Sequence, residues 1–520
     1  MCSVLGHDIS VSELRDIAVE SELIEFEPEH ELSVRFTWEH TARDLRLQTP
    51  ADVFGEVQHE TVRRLLTGWD DPTTASYGAR ALPAHAAAGH CFEEFLNVPY
   101  AVAMCRREPL LEGLRAAFPD TVQGGSRAAD LHYVSAQETV FSSHADWVAF
   151  LHHNAMCWGD TERAEALAAG AGPLPWTTVW AMQRPGGSPM APHVWTGRIE
   201  ELNADPDGIH VISTNEDGSE LIWDAADGQL CDADAQTSSV RTESPAPVAQ
   251  WRAEADWNQV VVHENADTGT ERVLPAPRSE AAVGVGEVVV VGSPTGLYAV
   301  TVGAPETAPK SPLQALPYIG PTARITPRPF DERCRRPSPS RLGELFGADH
   351  VHTLGADRIP SGITHQDTRD HLSHTGFPAV AGFYSLQTEN LTESGLVETP
   401  WQGTHSSEIP LGDGPFYRLG HWIGGILLLD GSTGRVLRRT TPNAVDADRP
   451  GDPLAATTLS RFTAMIALQW QYMLAYTQST GIDSEDLLTE LRSWLSAIDP
   501  VAVANRSWQH VLDSENFPYL

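Results

Sequence analysis

The stretch GHWIGGILLLD at residues 420–430, followed by GSTG at 431–434 and RVLRRT at 435–440, decides the fold of the C-terminal part of the chain. Apolar runs on either side of a short Gly-rich segment predict a strand, a tight turn and a second strand. Downstream, apolar residues recur at spacings of three and four, which predicts an amphipathic helix. These residues are Leu459, Phe462, Ile466, Trp470 and Met473. A second helix is predicted over 484–498, and strands followed by helices indicate an α+β domain over 342–520.

Upstream of this domain, residues 171–302 have the pattern of a β-rich region. Asp-Gly pairs recur ten residues apart, at 207–208, 217–218 and 227–228, with short apolar runs between them. Asp-Gly supplies the positive φ angles of tight hairpin turns, so we predict meandering strands here.

The two remaining segments differ in composition. Residues 1–170 carry apolar residues at helical spacing, for example over 51–69, and are predicted to be mostly α-helical. Residues 303–341 hold nine prolines, a density that interrupts both helices and sheets, and are predicted to be a linker. We therefore expect a multidomain α+β protein with a helical N-terminal region, an all-β centre and an α+β C-terminal domain.

The charge of the chain excludes several classes of function. Its 520 residues include 70 acidic and 35 basic side chains, a net charge of −35, and Lys310 is its only lysine. A P-loop needs a lysine in GxxxxGK[ST], whereas Lys310 follows Pro309, so a P-loop ATPase is excluded. An acidic chain repels nucleic-acid phosphates and anionic membranes, and it attracts basic partners.

No complete catalytic or metal-binding pattern is present in the sequence. HExxH, GxSxG and CxxC are all absent. Two histidine groups stand out, and we interpret both as structural or solvated, because no further ligands are fixed near them. They comprise His350 and His352, and His365, His371 and His374. We therefore predict no catalytic residue, no cofactor, no metal and no enzymatic activity.

The N-terminus has neither the basic start nor the apolar stretch of a signal peptide, and no apolar run is long enough to span a bilayer. Six cysteines without a disulfide-dense pattern favour a reducing compartment. We therefore expect a cytoplasmic protein without nucleic-acid or membrane partners. The sequence does not indicate an oligomeric state.

The segment GDGPFYRLGHWIGG at 412–425 is the predicted partner-binding site. Asp413, Tyr417, His421 and Trp422 place aromatic side chains beside a carboxylate, which is typical of an interface for a basic protein. The alternative for Trp422 is a core position, because neighbouring strand residues face opposite sides of a sheet.

The C-terminal third resembles the SUKH superfamily of immunity proteins, the Syd/Knr-like group. The resemblance is carried by LFG (345–347), IPSGITHQDTRDHLSHTGFP (359–378), YRLGHWIGGILLLDGSTGRV (417–436), the helix around LSRF (459–462) and SWQHVL (507–512). One departure is AATTLSRF (455–462), where the family often has Asn-Ser-Ser. The resemblance implies a non-enzymatic bacterial protein of a polymorphic toxin system, whose partner is a protein toxin, often a nuclease.

Two weaker resemblances concern the rest of the chain. GRIEELNADPDGIHVISTNEDGSELIWDAADGQL (197–230) is similar to one WD-repeat blade, although a closed propeller needs about four. YGARALPAHAAAGHCFEEFL (77–96) and LPWTTVWAMQRP (174–185) are similar to the helical arm before the WD repeats of actinomycete signalling ATPases. These resemblances leave an alternative function open: a scaffold or regulatory protein whose helical and WD-like regions bind protein partners.

Overall fold

A computed structural model gives the fold. The residues that it describes are 24–26, 34–36, 48–69, 71–118, 122, 124–136, 141, 143–186, 188, 198–215, 219–231, 249–264, 271–303, 330, 332–383, 386–401, 414–440, 453–476 and 482–513. The chain divides into two compact units, Met1–Pro119 and Asp120–Leu520. Most of the proline-rich segment 303–341 lies outside the described residues, and the boundaries expected at 170, 302 and 341 stay predictions.

In its described residues the first unit contains a short hairpin and five helices. The strands Ile24–Phe26 and Val34–Phe36 pair antiparallel. The helices are Ala51–Thr67, Pro72–Ala88, Phe92–Leu96, Pro99–Met104 and Arg107–Ala117. A turn at Gly89 and His90 separates the second and third helices, and His90 has the left-handed φ of 53° there. A side chain on Gly89 would meet the backbone of His59, so glycine allows the first two helices to pack closely.

The first described elements of the second unit are three helices, and three antiparallel sheets follow them in the described residues. The helices are Arg127–Ala136, His144–Cys157 and Thr161–Ala171. The four-stranded sheet has the order Trp176–Gln183, Gly296–Val302, Val288–Ser293, Ala281–Val285. The three-stranded sheet consists of Ile199–Ala204, His210–Asn215 and Glu220–Asp224, and the two-stranded sheet of Trp251–Glu264 and Glu271–Ser279. We call residues 120–303 the central region.

The Asp-Gly pattern of the central region predicted its hairpins correctly where they are described. Gly208 and Gly228 both have a φ of 71°, which an Asp-Gly turn requires. The strands His210–Asn215 and Glu220–Asp224 coincide with the two apolar runs between the turns. The pair at 217–218 lies outside the described residues. Among the described residues the sheet around them has three strands, whereas a WD-repeat blade has four. The WD-repeat resemblance is not confirmed.

The C-terminal domain is built on a six-stranded antiparallel meander, which we call the C-terminal sheet. Its strands in order are Ala381–Phe383, Leu386–Thr388, Phe416–Trp422, Gly425–Asp430, Val436–Arg439 and Leu454–Ala456. A separate strand pair joins Val351–His352 to Phe377–Pro378. The first helices of the domain are Glu332–Arg335, Pro339–Phe346, Gln366–Asp370 and Leu391–Ser394, with a 3-10 turn at Ala348–His350 and a π-helical turn at His371–Thr375. The last four helices are Leu459–Tyr476, Ile482–Ile498, Pro500–Val503 and Arg506–Val511.

The expected multidomain α+β fold is confirmed, with helices first, sheets in the centre and a mixed C-terminal domain. The helix Leu459–Tyr476 contains all five residues at helical spacing, and the helix predicted over 484–498 is Ile482–Ile498. One prediction was wrong: residues 420–430 are not one strand but belong to two strands of a hairpin. The turn lies at Ile423 and Gly424, with φ angles of 49° and 64°. Both angles are left-handed, as a type I′ turn requires, and isoleucine is a rare residue there.

Candidate partner-binding site

The strand Phe416–Trp422, which we call the site strand, carries three of the four predicted site residues. It lies between Leu386–Thr388 and Gly425–Asp430 in the C-terminal sheet. The pairing register shifts between Arg418 and Gly420, so a bulge interrupts the alternation of side chains. As a result, Tyr417 and Trp422 belong to the core on one face of the sheet, while Arg418 and His421 lie on the other face.

Trp422 is a core residue and offers no surface to a partner. Its side chain is 1% exposed. Its ring lies 4.9 Å from that of Trp508 and 6.0 Å from that of Phe462, between centroids, in tilted and edge-on geometry. Such aromatic contacts add to the free energy of burial. Trp422 therefore occupies a core position, which was the alternative considered for it, and is not an exposed interface residue.

Tyr417 is also buried, at 3% exposure. Its hydroxyl lies against Gly362, where an added Cβ would come 2.4 Å from the hydroxyl oxygen. Burial raises the pKa of this phenol, and the Glu398 carboxylate raises it further. Tyr417 thus joins two segments of the domain and does not face solvent. The reason is the strand period of two, which aligns Tyr417 with Leu419 on the inner face.

His421 is the predicted site residue that reaches the outer face of the site strand. Arg418 Nη2 lies 3.0 Å from His421 Nε2, and Arg418 Nε lies 2.5 Å from Glu389 Oε1. Burial lowers the pKa of His421, and the neighbouring guanidinium of Arg418 lowers it further. The imidazole therefore accepts a hydrogen bond from Arg418 in its neutral form. Asp413 lies outside the described residues, so a binding role for Asp413 and His421 stays a prediction.

Arg438 stabilises the hairpin turn next to this site, and no sequence pattern indicated this role. Its side chain is 3% exposed. Nε donates to the carbonyl of Trp422 at 3.0 Å, and Nη2 donates to the carbonyl of Ile423 at 2.6 Å. Nη1 lies 3.3 Å from the Ser507 hydroxyl oxygen. These bonds satisfy buried carbonyls at the left-handed turn and compensate for its unfavourable backbone angle.

Two sequence motifs that are distant along the chain meet beside the site strand. The backbone N–H groups of Thr364 and His365 donate to the carbonyl of Gly431, at 2.8 and 3.1 Å. Asp430 Oδ1 accepts from the backbone N–H of Ser432 at 2.8 Å, which fixes the turn after its strand. Gly434 has a φ of 74°, and an added Cβ would lie 2.3 Å from His365 Nδ1. The segments 359–378 and 417–436 therefore form one structural unit.

Four of the five histidines considered as metal ligands, His352, His365, His371 and His374, have other hydrogen-bond partners. His371 Nε2 lies 3.1 Å from Thr463 Oγ1, and His365 Nδ1 lies 2.9 Å from Thr368 Oγ1. Burial lowers the pKa of His371 to about 4. Within the described part of the chain, no group of three or more His, Cys, Asp or Glu side chains is arranged to hold a metal ion.

The comparisons with known proteins point to the same domain. Residues 337–514 match the family model of the SUKH-4 immunity protein. This match confirms the resemblance predicted for the C-terminal third. Comparisons with curated proteins and with solved structures give no match. Among the helices of the described residues, none has the length and apolar character needed to cross a membrane.

Proposed function

We propose that this chain is a non-enzymatic bacterial immunity protein that binds and neutralises a protein toxin in the cytoplasm. The observation that carries the proposal is the match of residues 337–514 to the SUKH-4 immunity protein. Such a protein needs a stable surface complementary to its toxin and no reactive group of its own. A domain with a large apolar core, built from both the C-terminal sheet and the long helices, supplies a rigid scaffold for that surface.

The charge of the domain supports a basic toxin, such as a nuclease, as the partner. Residues 342–520 carry 21 acidic and 10 basic side chains, a net charge of −11. Opposite charges raise the rate of encounter, and salt screens them beyond about 10 Å at 0.1 M ionic strength. We therefore propose that electrostatic attraction steers the toxin to this domain.

The test uses the full chain and a toxin domain encoded beside it in the genome. Co-expression of the two should restore the growth that the toxin alone abolishes. The association rate of the purified proteins should fall by about tenfold or more between low and physiological salt, while the dissociation rate changes little. A toxin that still arrests growth and shows no binding would contradict the proposal. Binding with an association rate indifferent to salt would contradict only the steering.

We propose that Asp413 and His421 contribute to the docking surface. His421→Ala and Asp413→Ala should each accelerate dissociation of the toxin. His374→Ala is the matched control, because His374 is exposed in the same domain but lies in a different segment. If both variants bind within a factor of about two of the parent, a difference below about 0.4 kcal/mol, the docking surface lies elsewhere.

The scaffold alternative predicts a different protected segment. Hydrogen exchange of the complex should show protection within 337–514 if the immunity proposal is right. Protection confined to residues 51–302 would favour the scaffold function instead.

A further inference from the structure

The central region contains a partly open cavity that the immunity function does not use. It lies where the helix His144–Cys157 packs against the strands Trp176–Gln183 and Gly296–Val302. The volume inside the cavity is about 20 Å³. The cavity therefore suits a small ion and not an extended cofactor. Its lining includes two arginines, Arg184 and Arg278, and none of its described lining residues is Asp or Glu.

Arg184 is buried, and two of its three guanidinium nitrogens have no hydrogen-bond partner among the described residues. The residue is 2% exposed, and its charged end lies 5.6 Å from the centre of the Trp470 ring. Nη1 donates to the carbonyl of Ser188 at 2.5 Å. Nε and Nη2 are buried and have no hydrogen-bond partner among the described residues. These two N–H groups form one edge of the guanidinium, the edge that binds two oxygens of an oxyanion side by side.

A second cation lies near the first. Arg278 is 8% exposed and has a left-handed φ of 59°. Burial lowers the pKa of Arg184 to about 10; the phenol of Tyr133 opposes this, and the charge of Arg278 adds to it. At a pKa of about 10 the guanidinium of Arg184 nevertheless remains protonated at neutral pH. Both residues line the same cavity, and the charge of Arg278 disfavours the charged form of Arg184. An anion bound at the Nε and Nη2 edge of Arg184 would offset that effect.

The other polar groups at the cavity are neutral hydrogen-bonding groups. Burial lowers the pKa of His153 to about 3, so its imidazole is uncharged at neutral pH. The His153 nitrogens lie 3.1 Å from Thr178 Oγ1 and from Gln183 Oε1. Burial raises the pKa of the Cys157 thiol and of the Tyr298 phenol, which therefore keep their protons. A protonated buried thiol is unreactive, so the pair of Cys157 and His153 has no nucleophilic role. The charged side chains of the described lining are therefore the two arginines.

We propose that this cavity is a binding site for a small oxyanion: a phosphate, sulfate or carboxylate group. The Nε and Nη2 edge of Arg184 binds two of its oxygens, and Arg278 balances the remaining charge. The hydroxyl groups of Tyr133 and Tyr298, which also line the cavity, are further donors. The site is distinct from the C-terminal surface proposed to bind the toxin, so neither proposal depends on the other.

The test measures binding of inorganic phosphate to the full chain. Isothermal titration calorimetry at constant ionic strength should give one phosphate per chain, and the melting temperature should rise with phosphate but not with chloride. Parallel titrations with sulfate and acetate identify the type of oxyanion, and titrations with AMP and phosphoserine show whether a phosphate on a larger molecule also enters. If none of these anions gives a heat of binding, the proposal is overturned. The measurement is made on the parent protein, so it does not depend on whether a variant folds.

Two variants locate the site. Arg184→Met keeps the length of the side chain and removes its charge, and it should weaken binding of the anion by about tenfold or more. Arg198→Met is the matched control, because Arg198 lies in the same region but pairs with Glu280 at 2.8 Å. The control should bind within a factor of about two of the parent. Equal binding by the parent and Arg184→Met would place the anion elsewhere and overturn the assignment.

Discussion

Arg438 in the C-terminal domain and Arg184 in the central region are buried to the same degree, at 3% and 2% exposure, but their donors have different partners. Three nitrogens of Arg438 lie within hydrogen-bond distance of Trp422, Ile423 and Ser507. Arg184 uses one nitrogen on Ser188 and leaves two without a partner among the described residues, at the wall of a cavity. The hydrogen bonds of Arg438 stabilise the fold, whereas the donors of Arg184 without a partner can bind a ligand.

The difference teaches how to separate structural from functional arginines in one unit. A buried cation that donates to buried backbone carbonyls stabilises the backbone that it contacts, and its removal leaves those carbonyls unsatisfied. A buried cation with free donors carries a desolvation cost that the protein alone does not offset. The two therefore differ in what their loss should do to stability, and the predictions below use that contrast.

The largest effect is expected where Arg438 and the core meet, at Trp422. Trp422→Ala should lower the free energy of unfolding of the C-terminal domain by about 3–5 kcal/mol, because the indole contacts Trp508 and Phe462 in a closed core. Hydrogen exchange of residues 414–440 measures this free energy locally. His421→Ala, on the other face of the same strand, is the control and should cost less than about 1 kcal/mol. Equal costs for the two would mean that the faces of the strand are not as described.

The second prediction concerns Arg438 itself. Arg438→Met should destabilise the domain by about 3 kcal/mol, because it leaves the buried carbonyls of Trp422 and Ile423 without donors at a left-handed turn. Arg439→Met, one residue further on, should cost at most about 1 kcal/mol, since its bond to the Pro400 carbonyl is exposed. Denaturant unfolding of both variants checks the difference. A loss of stability below about 1 kcal/mol for Arg438→Met would show that Arg438 is not a structural arginine.

The sequence predicted elements whose signals are local. The Asp-Gly turns of the central region and the helix with Leu459 and Trp470 were found because turn chemistry and periodicity depend on neighbours along the chain. The turn at Ile423 and Gly424 was missed, because isoleucine seldom adopts a positive φ and nothing nearby shows the support that Arg438 supplies from another strand.

The candidate site was predictable only in part, for the same reason. Composition marked the segment around Tyr417 and Trp422 as aromatic, but the face of each residue depends on a bulge that no local pattern reveals. The cavity in the central region could not be found from the sequence at all. Arg184 and Arg278 lie 94 positions apart, and only the fold brings their guanidinium groups into one lining.

Acid should weaken both regions through their buried neutral histidines. His371 in the C-terminal domain and His153 in the central region have pKa values lowered by burial to about 4 and about 3. Their contribution to stability is fully present above the unfolded pKa of about 6.5 and is lost as the pH falls toward the folded values. The loss amounts to about 1.4 kcal/mol per pH unit for each group once the unfolded form is protonated.

His371→Gln tests this dependence for the C-terminal domain. Between pH 7 and 5.5 the variant should lose about 1 kcal/mol less stability than the parent, because glutamine cannot be protonated in the unfolded chain. Denaturant unfolding at the two pH values gives the difference, and His374→Gln, which removes an exposed histidine three residues away, is the control. A variant that weakens with acid as steeply as the parent would show that His371 is not the group responsible.

The smallest effect is expected at Arg184, and it is the one that decides the comparison. Arg184→Met, measured in chloride buffer without phosphate, should change the free energy of unfolding by no more than about 1 kcal/mol in either direction. The variant loses one hydrogen bond to Ser188 and the contact with Trp470, but it also removes a buried charge with two unpartnered donors and its repulsion with Arg278. These contributions oppose each other, whereas at Arg438 they act in the same direction. Denaturant unfolding of Arg184→Met and Arg438→Met under identical conditions measures the contrast. If Arg184→Met lowers the free energy of unfolding as much as Arg438→Met does, both arginines are structural. The cavity is then a packing defect beside an arginine that stabilises the fold.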